Sequence, residues 1–392
     1  MKGEERAPLD GVLVVDKPRG PTSHDVVWRL RKALRTKRIG HAGTLDPMAS
    51  GVLVILVGEG TKLGPYLTAQ DKHYVTEVAL GVGTNTLDAE GEVTETRALP
   101  GWLEEELAQL AQLSQLPKLT SEESALAAHE VAARAPRIAA ALAAETARRA
   151  QVPPAHSAIK VDGQRSYALA RAGKEVELAA RDVEVRALGC TAVSTSPPAL
   201  TLTLSVQKGY YVRSLARDLG EHLGVPAHLT ALRRTASGRF TLDRALPPDA
   251  GADALRRALV PLVEAASLGL WIEQLTADGA RRARLGQRLR PDDFTSPPRV
   301  DEGTDEPRAA AWIAPDGQLV AIGCARLDAE GALRISVLRG FSALSTDAAG
   351  AAPSAPFSAL SGTSEAVSTE TCAREEDTPT ARAADEPDDE EG

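Results

Sequence analysis

A carboxylate in a loop of small residues is a natural place to look for chemistry. The stretch GHAGTLDPMASG, residues 40–51, offers one in Asp46, between Leu45 and Pro47. Two readings are open. Asp ahead of Pro is a common turn initiator, because proline pushes the preceding residue toward extended dihedrals. The other reading makes Asp46 a reagent, and only company elsewhere in the chain can decide for it. That company includes Asp88 in LDAEG, Arg213 in KGYYVR, Tyr74 in DKHY, Leu232 in ALRR and His41 at the head of the loop. Each has an ordinary alternative: a turn for Asp88, a surface arginine for Arg213, core positions for Tyr74 and Leu232, a structural or surface histidine for His41. Two carboxylates would also suit a glycosidase, but hydrolysis needs in addition an acid poised by burial. The chain has no Gly-rich phosphate loop and no HExxH, and Cys190, Cys324 and Cys372 are scattered without C-x-x-C spacing. Neither a disulfide framework nor a zinc site is indicated.

Residues of this kind need a folded frame. With 392 residues, 43% of them hydrophobic, the chain can bury a sizeable core and is long enough for two domains. GVLVVD (11–16), GVLVILVG (51–58), YVTEVALG (74–81), VEVRAL (183–188) and ALTLTLSV (199–206) read as strands. A helix is expected after Pro21, capped by Thr22 or Ser23, with Val26, Val27, Leu30 and Leu34 on one face. Another runs through VRSLARDLGEHLG. Residues 101–150, rich in Ala, Leu and Glu, read as two helices separated by LPKLTSEES. Short strands and helices without regular alternation predict an α+β domain with a mixed, largely antiparallel sheet and flanking helices, ending near residue 250. A small strand-rich unit follows at about 268–340, carrying the basic residues Arg281, Arg282, Arg284, Arg288 and Arg290.

The net charge of -9 is unevenly spread. Residues 341–392 hold 12 acids and 2 bases, which leaves 43 bases and 42 acids in the rest of the chain. With only Phe341 and Phe357 as aromatics, that segment reads as a disordered acidic tail, the other reading being competition with RNA for a basic face. Between Val26 and Leu45 there is no acid, whereas Arg29, Arg31, Lys32, Arg35, Lys37 and Arg38 are all present. Such a run is either a solvated helix face or a phosphate contact. No apolar run is long enough to span a bilayer, and the start, MKGEERAPLD, lacks the apolar core of a signal peptide. A cytoplasmic location without a membrane partner is expected.

Taken together, DKPRGPTS (16–23), GHAGTLDPMASG, DKHY (71–74), LGVGTNTLDAEG (80–91), QVPPAHSAIKVDGQRSYALARAG (151–173), and KGYYVRSLARDLG (208–220) with ALRR (231–234) closely resemble the bacterial TruB family in content and order. That family converts uridine 55 in the T loop of tRNA to pseudouridine. The resemblance runs over roughly residues 10–240 and implies the pseudouridine synthase fold. It implies a catalytic domain at 1–250 with a helical insert at about 101–150, a PUA-like RNA-binding domain at 268–340, and an extra tail at 341–392. The implied partner is tRNA, through its T arm and elbow, acted on by a monomer with no obligatory protein partner. No cofactor is implied: the N1–C1′ bond breaks, a C5–C1′ bond forms, and nothing is added or lost.

By the same resemblance Asp46 is the essential catalytic residue, whether it attacks the sugar or the base or removes a proton from the sugar. Arg213 pairs with it, as a guanidinium can in a desolvated site. Tyr74 stacks on the flipped base and Leu232 lines the other side of the pocket, while His41 wedges into the T loop. Asp88 and Lys17 fall near the site, and Tyr167 lies in an RNA-gripping segment, 151–173, expected to be a mobile thumb. Departures are Ala155, His156, Ser157 and Ala158 where P-x-Y-S-A is usual, Gln207 and Tyr210 beside Lys208 and Gly209, and an insert longer by about one helical hairpin than the family norm. Two rivals stand beside this reading: a related synthase working only inside a guide-RNA particle, and a tRNA-folding factor acting on the elbow without essential catalysis.

Overall fold

The computed structural model describes residues 9–113, 121–157, 159–161, 163–172, 176–300, 308–328 and 330–342. Its main sheet runs, edge to edge, Gly11–Lys17, Ser50–Val57, Ala227–Ser237, Lys72–Leu80, Pro198–Val206 and Val185–Thr195. All neighbours are antiparallel except Ser50–Val57 with Ala227–Ser237, where Arg233 pairs with Ser50 and Arg234 with Gly51. The expected largely antiparallel sheet is what the chain forms.

Alternation along the strands Gly11–Lys17 and Ser50–Val57 explains why their runs are apolar. On Ser50–Val57, Leu53, Ile55 and Val57 enter one core, and Val52, Val54 and Leu56 enter a second on the opposite face. Gly11–Lys17 divides in the same way, Leu13 and Val15 to the first and Val12 and Val14 to the second. A strand buried on both faces must be a continuous hydrophobic run, and each of these side chains contributes about 1.5–3 kcal/mol by leaving water. The first core is closed by the helices Ser23–Leu34, Gly101–Ala111, Pro136–Thr146 and Val212–Leu223.

Of the two proposed caps, Thr22 closes the first helix: its hydroxyl accepts from the N–H of Asp25 at 3.1 Å, and the Asp25 carboxylate accepts from the N–H of Thr22 at 2.8 Å. Ser23 is left for other work. The 101–150 region corrects the expectation of two helices, since it forms three: Gly101–Ala111, Ser121–Arg134 and Pro136–Thr146. Pro136 forces the break, because proline disfavours helical dihedrals at Ala135 and has no N–H to give. The Glu106 carboxylate then caps the third helix, accepting from the N–H groups of Arg137 and Ile138 at 3.1 and 2.9 Å. Arg148 ties this insert to the Val212–Leu223 helix, lying 2.6 Å from Glu145 and 3.6 Å from Asp218.

The chain stays on the main sheet to residue 260. Leu255 belongs to the first core, and Val260 exchanges backbone hydrogen bonds with Val12 at 2.9 and 2.8 Å. A separate four-stranded sheet follows, in the order Trp271–Gln274, Ala310–Ile313, Leu319–Leu327 and Leu333–Gly340. Its Ala311, Ile313, Leu319 and Ile322 share the second core with Val12, Val14 and the Leu262–Ser267 helix. The expected acidic tail lies, from residue 343 on, outside the described residues.

Candidate active site

The loop 42–49 has little secondary structure of its own, so what holds it is side-chain chemistry directed at its backbone. Ser23 donates from its hydroxyl to the Leu45 carbonyl at 2.9 Å and accepts from the Leu45 N–H at 2.8 Å. The Lys17 ammonium donates to the carbonyls of Ala49 at 2.7 Å, Pro18 at 2.9 Å and Pro47 at 3.3 Å. Arg234 donates to Val52 at 2.7 Å, Gly43 at 3.0 Å and Thr44 at 3.4 Å. These three residues are 0%, 2% and 1% exposed for Lys17, Ser23 and Arg234. Burying two cations is costly unless their donors find acceptors, and the loop carbonyls, with those of Pro18 and Val52, are those acceptors. Close packing shows at Gly51, whose φ is +104° and where a Cβ would sit 2.1 Å from the Arg234 carbonyl oxygen. Only glycine fits there.

Asp46 is a turn residue as well as a charge, since its carbonyl accepts from the N–H of Ala49 at 3.1 Å. Its carboxylate meets the Nε of Arg213 at 2.9 Å. The two partners differ in exposure: the Arg213 side chain is 7% exposed and that of Asp46 39%. Arg213 is also held by backbone carbonyls, donating to His156 at 2.9 Å and Thr86 at 3.1 Å. Asp88 lies 3.7 Å from the same Nε, with its other oxygen accepting from the Thr86 hydroxyl at 2.6 Å and the Glu90 N–H at 3.1 Å. The arginine is therefore fixed by several partners, while the Asp46 carboxylate is paired on one side and open on the other. A charged group of that kind can act as nucleophile or base on something that docks at the opening.

Tyr74 and Leu232 sit on neighbouring strands, Tyr74 opposite Arg234 and Leu232 opposite Thr76. Since directly opposed residues share a face, Tyr74, Leu232 and Arg234 all stand on the face that carries the loop. Leu232 is buried and Tyr74 half-buried, both packed in the first core, so an aromatic and an aliphatic wall lie on the sheet beside the strapped loop. His41 ends the short strand Ile39–His41. Burial, then the charges of Arg234 and His24, hold its imidazole below the ordinary value, and its Nδ1 is buried without a hydrogen-bond partner. Burial presses the Lys17 amine down to about 8, with Asp46 opposing the fall. Tyr167 is 38% exposed, and its backbone N–H reaches the Ser157 carbonyl at 3.0 Å. Ala158 and part of the expected thumb, 162 and 173, lie outside the described residues.

Several residues at the site go beyond those picked from the sequence. Ser23 and Arg234 hold the loop, and Glu90 lies near enough to Asp88 and Asp46 that burial and then those charges raise its carboxyl. Tyr211 is raised chiefly by burial and feels both Arg213 and Asp46. All stand inside or beside strings already singled out, but their types alone carry no signal for these contacts.

A family model described as TruB family pseudouridylate synthase (N terminal domain) matches residues 31–127 and 112–212, and one for the tRNA pseudouridylate synthase B C-terminal domain matches residues 213–265. The chain belongs to the TruB family. Among its relatives, tRNA pseudouridine synthase B of Cutibacterium acnes is 42% identical over 314 residues, covering 80% of this chain and 92% of that protein. The protein of the same name from Thermobifida fusca is 40% identical over 319 residues, covering 80% and 94%. The fold of this TruB-family chain is also found in single chains of two solved complexes. A Cbf5-Nop10-Gar1 complex matches with a TM-score of 0.60 at 21% identity, over 87% of this chain and 91% of that one. An H/ACA RNP bound to a substrate RNA containing 2′-deoxyuridine matches with a TM-score of 0.57 at 20% identity, over 86% of each chain. The pseudouridine synthase fold expected from the motifs is therefore the fold of the chain.

Proposed function

We propose that this chain isomerises uridine 55 in the T loop of tRNA to pseudouridine, acting alone, as a monomer, on bare tRNA in the cytoplasm and without a cofactor. The observation that carries the reading is the 2.9 Å pair between Arg213 and Asp46, with the carboxylate left open on its other side. The target C1′ and base are unreachable inside a folded T loop, so the uridine must be flipped out. In this reading Tyr74 stacks on the extruded uracil, Leu232 closes the opposite side, and His41, kept neutral by burial beside Arg234, enters the T loop. Asp46 is the reacting carboxylate and Arg213 its counter-ion; Asp88 orients the arginine, and Lys17 holds the loop. Atoms balance without a co-reactant: the N1–C1′ bond breaks, C5 bonds to C1′, the proton on C5 leaves and N1 gains one. Tyr167 and its neighbours in 151–173 grip RNA. Residues 1–250 with their 101–150 insert form the catalytic domain in this scheme, and 268–340 a PUA-like domain whose arginines face the acceptor stem. Among the described residues no helix is long and apolar enough to cross a membrane.

Tritium release from T-arm tRNA carrying C5-labelled uridine, with no methyl donor present, tests the reading. Release by wild type and at least a thousand-fold less by Asp46→Asn is expected, on the order of the loss of an essential nucleophile or base. Folded wild type that binds tRNA but releases no tritium would return Asp46 to a turn residue and favour a folding factor.

A further inference from the structure

The Arg213 helix, Val212–Leu223, begins without a side-chain cap of its own: Tyr211 stands at the N-cap position and makes no cap hydrogen bond. What fixes this end comes from far away in sequence. Gln151 closes the two-residue strand Ala150–Gln151, pairs there with Arg181, and is 1% exposed. Its amide oxygen accepts from the Tyr211 N–H at 2.9 Å, and its amide nitrogen donates to the Tyr211 carbonyl at 3.2 Å. Only one orientation of the amide makes both bonds, so the side chain is doubly specified. The contact continues along both segments. The Val152 carbonyl accepts from the Ser214 hydroxyl at 2.9 Å and from Arg217 at 3.0 Å, and the His156 carbonyl accepts from Arg213 itself at 2.9 Å.

We propose that Gln151 is a positioning residue for Arg213, holding the backbone two residues before it so that Nε meets Asp46. This rests on the synthase reading above. It assigns the first residue of the 151–173 segment to the arginine rather than to RNA. Because the same short root, 151–156, also supplies the carbonyls that Arg213, Ser214 and Arg217 use, RNA contacts made farther along the segment act on the arginine through it. A displacement of about 1 Å at the Tyr211 backbone is enough to cost on the order of a hundred-fold in rate when a reacting group depends on it.

Two variants of the full chain test this. Gln151→Leu keeps bulk and loses both bonds. Gln151→Glu keeps the shape, and its protonated form both donates and accepts, whereas its ionised form cannot donate to the Tyr211 carbonyl. At a temperature where melting curves show all proteins folded, kcat of Gln151→Leu on T-arm tRNA is expected to fall by on the order of a hundred-fold, with KM and tRNA Kd within about twofold. Gln151→Glu is expected to approach wild-type turnover at the acid end of the range and to lose it as pH rises, because deprotonation removes its donor; burial moves that loss upward. A purely structural role predicts a lower melting temperature with kcat of the folded protein, and its pH profile, as in wild type. That result overturns the proposal. If Gln151→Leu does not fold, the pH profile of Gln151→Glu decides alone. Wild-type turnover in the same assay reports on the synthase reading, so with it intact, variants that match wild type count against the clamp only.

Discussion

Two groups of arginines divide this molecule. In the unit built on the main sheet, Arg213 of the Val212–Leu223 helix and Arg234 of the Ala227–Ser237 strand are 6% and 1% exposed, and every described contact of their guanidinium groups is with a specific carboxylate or a backbone carbonyl. In the C-terminal unit, Arg281 and Arg284 lie on the surface helix Ala277–Arg284 and pair with exposed Asp278 and Asp316 at 3.2 Å, while Arg288 and Arg290 line an open cleft of about 610 Å³ with Arg282 and Gln287. The residue type is the same, but burial changes its use. A buried guanidinium carries a desolvation cost that only fixed partners offset, so it defines geometry; an exposed one keeps its water and offers charge to whatever approaches. Basic residues counted along the sequence do not separate these two uses.

The sharpest way to break the comparison is Arg213→Lys. An ammonium cannot reproduce the planar fan that reaches Asp46, Thr86 and His156 together, so turnover is expected to drop by about a thousand-fold in single-turnover tritium release, with tRNA affinity within about twofold. Unchanged turnover would remove the arginine from the chemistry. Arg234→Met is the next largest. It leaves the carbonyls of Gly43, Thr44 and Val52 buried without their donor, at a cost of about 3 kcal/mol in denaturant unfolding. Arg281→Ala, whose side chain is 60% exposed, should change stability by under about 0.5 kcal/mol in the same measurement. Equal costs at the two positions would mean that burial is not what distinguishes them.

How much of this is legible in the sequence depends on range. Asp46, Arg213 and Tyr74 stand in dense strings whose order is itself informative, and the apolar runs of Gly11–Lys17 and Ser50–Val57 declare burial on both faces. The straps are not legible. Ser23 reads as a cap because its neighbours are Pro21, Thr22 and Asp25, yet its partner is Leu45, 22 residues on. Lys17 reaches Ala49 over 32 residues and Arg234 reaches Gly43 over 191. Contacts at such separations are decided by strand order, which local pattern does not specify. The third helix of the insert is a different failure: Pro136 is visible as a breaker, but Ala-rich sequence on both sides of it supports helix equally well.

Lys17 lets the buried group be tested by pH. Its amine is held near 8, and its protonated form has three N–H donors for the three carbonyls of Pro18, Pro47 and Ala49. Raising the pH through that value removes one proton, so one carbonyl loses its donor and the Asp46 loop loosens. Turnover is therefore expected to hold on the acid side of about 8 and to fall about tenfold above it, a limb that Lys17→Met, lower throughout, should lack. A limb that persists unchanged in that variant would assign it to another group.

The smallest effect belongs to the exposed group. Arg288→Ala together with Arg290→Ala removes two charges from the cleft without unsatisfying a buried partner among the described residues, since Arg290 meets Asp293 through its backbone, its N–H donating to the carboxylate at 2.8 Å and its carbonyl accepting from the Asp293 N–H at 3.0 Å, and alanine keeps both. Each lost phosphate contact reduces the dependence of log Kd on log salt by about one, so tRNA affinity should fall about threefold to tenfold at moderate salt and converge with wild type as salt rises. Turnover at saturating tRNA should not change, because no group near Asp46 is touched. A drop in kcat would mean that these arginines orient the RNA at the distant site and act in geometry after all; an unchanged salt slope would mean that they contact no phosphate. Either result would show that exposure alone does not tell a charge that binds from one that positions.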